Sequence, residues 1–171
     1  MQAGASGADL LVLTRADARE ALRHLSIKLV WEDCDFLQSV DMFEEWNRHE
    51  LLVLLRKMTR QLLPEGAVIC RQGESPTCVY FLKRGRCDVL RSHVETVLFS
   101  RGDAGPGRRS VRRVAALGEV QPGSVFGEGA VFRGTKRFAD VVCATPCEVL
   151  ALPTGQLLHL LAHGALHRLY E

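Results

Sequence analysis

The stretch FGEGAVFRGTKRFADVV, from Phe126 to Val142, decides how the rest of the chain is read. An acidic residue directly follows a glycine, a short turn of small and apolar residues comes next, and an arginine stands nine positions after the acid. A glycine-rich turn leading into a short helix presents unpaired backbone N–H groups, and with the helix dipole these make a seat for phosphate. Phe126, Gly127, Glu128, Gly129 and Ala130 supply such a turn. Arg137 adds a planar cation able to fork onto two phosphate oxygens. Glu128 would repel a phosphate in contact with it, but it suits a sugar hydroxyl, which donates to a carboxylate. Acid for hydroxyl and arginine for phosphate describe a compact nucleotide. The competing reading of the same residues is a surface turn closed by a salt bridge between Glu128 and Arg137.

Outward from this stretch the apolar pattern has a period near two. AVICRQ (67–72), CVYFLK (78–83), RCDVLRS (86–92), VETVLFS (94–100), VRRVAAL (111–117) and ADVVCATPCEVLALP (139–153) are β-branched or aromatic segments divided by glycine, proline and polar residues. Strands at this spacing, with helices only at the ends, predict an antiparallel barrel or jelly roll flanked by helices. A parallel βαβ fold would need crossover helices between the strands, and the pattern has none. SRGDAGPGRRSVRR, Ser100 to Arg113, reads as a flexible hairpin loop with a local charge of +4, from five arginines against Asp103. Its functional readings are docking to an acidic partner or phosphorylation of Ser110, which follows two arginines.

The ends read as helical. Ala16 to Val30 places Ala18, Ala21, Leu22, Leu25 and Leu29 at three- and four-residue spacings, with Asp17 near the start, so residues 1–34 are expected to form a helical extension. A short helical turn is expected around Phe36 to Val40. A second helix follows, capped by Asn47 with Glu50 at its third position, and ends near Arg60. The last segment, PTGQLLHLLAHGALHRLYE, is expected to start at Thr154 as cap and run as an amphipathic helix to the end. His159, His163 and His167 share one face of it, but Gly164 weakens the helix between them, and they read as a polar face rather than a metal site.

A chain of 171 residues with 47% hydrophobic content suits one domain with a sizeable core and excludes a disordered polymer. The net charge of +2 does not point to nucleic acid or membrane as the main partner. No basic segment precedes the apolar run Leu10 to Leu13, and no run reaches the ~20 apolar residues of a membrane helix. A soluble, cytoplasmic protein is the expectation. The six cysteines, Cys34, Cys70, Cys78, Cys87, Cys143 and Cys147, are scattered through strand-like segments without C-x-x-C spacing, and so read as core thiols rather than a zinc site. An enzyme of the metal-dependent jelly-roll kind is disfavoured, because the barrel segments contain only His93 and no H-x-H pair.

FGEGAVFRGTKRFADV resembles the phosphate-binding cassette of the cyclic nucleotide-binding domain family, commonly F-G-E-[LI]-A-L, a short linker, then R-x-A and a strand. The family includes the regulatory subunits of cAMP-dependent protein kinase, nucleotide-gated channels, exchange factors and bacterial catabolite-activator proteins. The match holds at Phe126, Gly127, Glu128, Ala130, Gly134, Thr135, Arg137, Ala139 and Val141. It extends to the helical lead-in from Phe36, to the opening strands with Gly66, Gly73 and Gly85 at their turns, and on to roughly Leu169. The resemblance implies an eight-stranded jelly-roll barrel with helices before and after it, over residues 35–171.

The resemblance also implies roles. Glu128 would accept from the ribose 2′-hydroxyl and Arg137 would pair with the cyclic phosphate, while Gly127, Gly129, Ala130 and Ala139 would shape the turn and offer backbone contacts. Phe126 and Val141 are expected in the core. Phe138 stands where family members carry Ala or, when selective for cGMP, Thr; a phenyl ring has no hydroxyl for guanine, and it would either stack on a purine or fill the pocket. Gly129 replaces Leu or Ile and loosens the short helix by about 1 kcal/mol relative to alanine. Family members follow the barrel with two helices, the last a lid, and this chain reaches Glu171 within what reads as the first, so a truncated lid is expected. The implied function is a non-catalytic regulatory module for a cyclic nucleotide, cAMP before cGMP, with no cofactor. It would signal through its C-terminal helix to a protein partner or fused effector, with no DNA-binding helix-turn-helix. The alternative is a degenerate, non-binding scaffold module on the same fold within a larger assembly.

Overall fold

The computed structural model describes residues 14–100 and 106–162. Helix α1 spans Arg15–Gln38, a 3₁₀ turn covers Asp41–Phe43, and α2 spans Arg48–Leu55. Eight strands follow: β1 (Thr59–Leu63), β2 (Val68–Cys70), β3 (Cys78–Arg84), β4 (Cys87–Ser100), β5 (Pro106–Val120), β6 (Val125–Phe126), β7 (Asp140–Cys143) and β8 (Cys147–Pro153). Helix α3 (Glu128–Phe132) lies between β6 and β7, and α4 (Thr154–Ala162) closes the described chain. The strands form two four-stranded antiparallel sheets, ordered β1-β8-β3-β6 and β2-β7-β4-β5. This is the expected mainly-β jelly roll with flanking helices.

The central strands explain why period two blurs into continuous apolar runs. Val79, Tyr80, Phe81 and Leu82 of β3 are all buried, as are Val149, Leu150, Ala151 and Leu152 of β8. Strands covered on both faces lose the polar half of the alternation. Val79, Phe81, Leu150 and Leu152 face a cluster with Leu37, Phe43, Leu51, Leu54 and Leu157 from the helices. Tyr80, Leu82, Val149 and Ala151 face the interior between the sheets, with Cys87, Phe126, Val141 and Cys143.

The helical lead-in starts within one residue of the expected Ala16 but differs from expectation where its helices end. Thr14 caps α1 by accepting from the Asp17 N–H, and the helix runs unbroken to Gln38, crossing position 34 and placing Cys34 and Leu37 in the core. The anticipated turn at Phe36 to Val40 is its last stretch followed by the separate 3₁₀ turn. Leu22, Leu25 and Leu29, the expected apolar stripe, face solvent. Helix α2 has the predicted capping box, Asn47 accepting from the Glu50 N–H and Glu50 accepting from the Asn47 N–H. It ends at Leu55 rather than near Arg60, because Thr59–Leu63 pairs residue for residue with Ala151–Cys147 of β8.

The Ser100–Arg113 segment is corrected more strongly. RCDVLRS and VETVLFS are one strand, β4, and residues 106–113 belong to β5, so most of the arginines lie in a long hairpin ribbon. Only residues 101–105 fall outside the described chain at its tip. Beyond Leu90 the strand β4 has left its partner β7, and the ribbon continues as two strands alone.

A buried charge cluster ties α1 to the first sheet. Lys83 Nζ lies 2.5 Å from Asp33 Oδ1 and 3.3 Å from Glu148 Oε1, and Arg60 Nη2 lies 2.8 Å from the same Glu148 oxygen. Two carboxylates are thus compensated by two cations where little water reaches, the condition under which buried charges are tolerated.

Candidate functional site

The site is built at the point where β6 meets α3. Gly127 has φ +87°, a left-handed conformation that turns the chain out of β6 and into the helix without steric penalty. The same glycine serves a second purpose, since a Cβ there would overlap the Arg137 guanidinium. Arg137 is buried, and its guanidinium donates to the carbonyls of Gly127 and Cys78. It also lies over the Tyr80 ring at 5.8 Å, and Tyr80 in turn stacks on Phe126 at 5.3 Å. The Arg137 main chain is held too: its N–H donates to the Glu74 carbonyl and its carbonyl accepts from the Gly73 N–H, each at 2.8 Å. These bonds clip the β2–β3 turn against the cassette, and Asp140 adds to the clip by accepting from the Gln72 N–H at 2.6 Å.

All of Gly127, Glu128, Gly129, Ala130, Arg137, Phe138 and Ala139 line one cavity of about 170 Å³. Phe126 and Val141, expected in the core, are buried and also form part of its wall, together with Cys70, Val89 and Val125. Sequence reading missed the last three, and it missed Tyr80 and Cys78, which hold Arg137. The alternation in CVYFLK places Tyr80 on the interior face, but nothing in the spacing tells which strand meets the arginine.

Glu128 Oε2 is buried and has no hydrogen-bond partner. Among the described residues no ion pair joins Glu128 to Arg137, so the salt-bridged surface turn is not what forms. A carboxylate oxygen out of water with no donor is costly, and a ligand hydroxyl would relieve it. Phe138 is 64% exposed at the rim and does not fill the cavity. Gly129 has nothing within 4 Å of a Cβ position, so the missing Leu or Ile leaves open space there. Burial raises the pKa of the Cys70 thiol and the Tyr80 hydroxyl, with the Arg137 charge acting the other way on both.

The helix α4 is linked to this site through β3. Cys78, whose carbonyl takes a bond from Arg137, pairs with Pro153, and the Thr154 N–H donates to the Thr77 carbonyl at 2.8 Å. The Thr154 hydroxyl donates to the Pro76 carbonyl at 3.1 Å, so the expected capping side chain is used to fasten the helix start to the loop before β3. Of the three C-terminal histidines, His159 lies on α4, while His163 and His167 lie outside the described residues, as does the end of the expected truncated lid. No helix among the described residues is long and apolar enough to cross a membrane.

Known proteins match this arrangement. The family model described as the cyclic nucleotide-binding domain matches residues 60–163. A cyclic nucleotide-gated potassium channel of Rhizobium etli is 29% identical over 114 residues, which is 67% of this chain and 26% of the channel. The chain therefore spans about a quarter of the length of the curated relatives it matches. Among solved structures, the regulatory domain of Toxoplasma gondii PKA with cAMP superposes with a TM-score of 0.66 at 21% identity, over 87% of this chain and 51% of that one. The sensor domain of the transcriptional regulator DNR from Pseudomonas aeruginosa gives 0.63 at 21% identity, over 79% of this chain and 80% of that one.

Proposed function

The chain belongs to the cyclic nucleotide-binding domain family, and we propose that it is a regulatory module that takes up a cyclic purine nucleotide, cAMP in preference to cGMP, and catalyses nothing. The observation that carries this reading is the unpartnered, buried Glu128 oxygen in a cavity whose other charged wall is Arg137. Glu128 accepts from the ribose 2′-hydroxyl. Arg137 offers its planar donors to the cyclic phosphate, which competes with two neutral carbonyls for them and makes the stronger, charge-assisted bonds. The backbone at Gly127, Gly129, Ala130 and Ala139 lines the phosphate side.

A cavity of about 170 Å³ is smaller than ordinary ligand pockets, which start near ~300 Å³. It suits the ribose and phosphate, with the base lying outward against Phe138. The ring stacks on any purine but gives no hydroxyl to a guanine amine, so nothing in it favours cGMP.

Signalling follows from the Arg137 partners. When phosphate draws the guanidinium from the Cys78 carbonyl, the start of β3 loses a bond directly beside Pro153 and the first residue of α4. The helix α4 then repacks, and a partner or fused segment that reads its position feels the nucleotide as a shift between two states.

Calorimetric titration with cAMP and cGMP, repeated on Arg137→Ala, tests the reading. Heat with cAMP, weaker heat with cGMP and none in the variant are expected; no heat with either nucleotide in the native chain overturns it. That last result would favour a scaffold module on the same fold, a reading supported by the small cavity and by the carbonyls that already occupy Arg137.

A further inference from the structure

The six cysteines look scattered in the chain, yet Cys87, Cys143 and Cys147 converge, with their sulfurs all within 4.8 Å of one another. Cys87 starts β4 and Cys143 ends β7, and the two are direct partners in one sheet; Cys147 starts β8 in the other. The group therefore sits across the gap between the sheets. Cys87 Sγ and Cys147 Sγ are 3.6 Å apart. The Gly85 turn roofs the cluster so closely that a Cβ at Gly85, already at φ +90°, would meet Cys147 Sγ at 2.7 Å.

We propose that Cys87, Cys143 and Cys147 form a binding site for a soft d¹⁰ cation, Cu(I) in three-sulfur coordination, that joins the two sheets. A cation about 2.3 Å from each of three sulfurs in a plane needs sulfurs about 4.0 Å apart, which lies inside the observed spread. Thiolate sulfur selects Cu(I) and Zn(II) over hard cations. The choice between those two rests on ligand number. Structural zinc takes four protein ligands, and among the described residues no fourth histidine, cysteine or carboxylate joins this group. A closed-shell monovalent cation is content with three.

The chemistry balances without any oxidant. Each sulfur that ligates gives its proton to solvent as the Cu–S bond forms. Because the sulfurs come from β4, β7 and β8, the bound state ties the second sheet, which carries the Cys70, Val89 and Val141 wall of the cassette cavity, to the first.

The test uses the full chain, reduced and kept free of oxygen, and Cu(I) presented from the coloured chelator bicinchoninate. One Cu(I) per chain withdrawn from the chelator, and X-ray absorption giving three sulfur neighbours near ~2.3 Å, are expected. Cys143→Ser should weaken uptake by more than roughly 100-fold, beyond the loss expected from an outer-shell change. A triple variant Cys34→Ala, Cys70→Ala, Cys78→Ala, which leaves the cluster intact, should bind as the native chain does. The spectrum of the native chain needs no variant, so a Cys143→Ser protein that fails to fold does not weaken the test. Failure to withdraw Cu(I) overturns the proposal, as does uptake unchanged in Cys143→Ser or lost in the triple variant. Tighter binding of Zn(II) than of Cu(I) overturns the assignment of the cation.

Discussion

The Arg137 guanidinium donates to the main-chain carbonyl of Cys78, the residue that pairs with Pro153 one step before α4 begins. A side chain of the cassette thus holds the strand on which the last described helix is mounted. The arginine is a structural strut between the cassette and β3 and is also the proposed phosphate ligand.

Arg137→Ala should therefore harm both states. Loss of two charged-donor bonds leaves the Gly127 and Cys78 carbonyls short of a partner, and stability should fall by about 2–3 kcal/mol. Affinity for cAMP should fall by more than ~100-fold. Urea melts and calorimetry on the same preparations read the two losses separately. Arg137→Lys should rescue little of either, because a point cation cannot make the planar fork.

The two cassette glycines should behave oppositely. Gly127→Ala forces a side chain into φ +87° and onto the guanidinium, and should cost at least ~1–2 kcal/mol. Gly129→Ala adds a methyl to open space inside a helix and should stabilise by up to about 1 kcal/mol. Thermal melts that gave both substitutions the same sign would contradict the geometry described for this turn.

Phe138→Ala separates ring stacking from fold stability. The ring is 64% exposed, so melting should scarcely change. If the base lies on it, cAMP affinity should drop by about 1–3 kcal/mol, the usual worth of base–aromatic stacking. An unchanged dissociation constant would place the base elsewhere.

Lys83→Met should be among the more damaging single substitutions away from the cassette. It leaves Asp33 and Glu148 with Arg60 and the more exposed Arg84 to compensate them, and breaking such a buried set typically costs about 3–5 kcal/mol. Denaturant unfolding measures it directly.

Alkaline pH should weaken the fold through the thiol cluster. Burial, with hydrogen bonding to Cys147, pushes Cys143 from an ordinary thiol value of 9.0 up to about 11. A raised folded pKa means the native state holds its proton longer than the unfolded chain does. The resulting stability is intact below about pH 9 and is lost as pH rises through about 11. Urea midpoints at pH 8 and at pH 10.5 should differ in the native chain by more than they do in Cys143→Ala.

The cassette was legible because its chemistry is local. Glycine, acid and arginine lie within one short stretch, and the turn that brings them together is coded by Gly127 itself. What escaped was set by distant partners. The helix reading of α2 carries on to about Arg60 and so takes in the start of TRQLL, yet β8 offers that stretch five pairing positions and it becomes β1. The two-residue strand β6 is too short to show a period. The tip of the β4–β5 ribbon, Ser100 to Arg113, reads as a loop because glycine, proline and arginine dominate it, while the cross-strand ladder that runs from Cys87↔Val120 to Ser100↔Pro106 has no local signature. The thiol cluster is the clearest case, since sixty residues separate Cys87 from Cys147 and only the packing of two sheets makes them neighbours.

The ribbon has a consequence for how these molecules share a solution. Among the described strands β5 is the last in its sheet, so one row of its backbone donors and acceptors has no described strand to pair with. A long, flat, apolar border of that kind recruits strands from other chains. Arg108, Arg109 and Arg112, all exposed along this border, make a second copy's approach a meeting of like charges, while Arg113 is paired with Glu95 at 2.8 Å. The arginines of the segment that first read as a flexible hairpin loop should therefore oppose pairing between copies, an opposition that added salt should weaken.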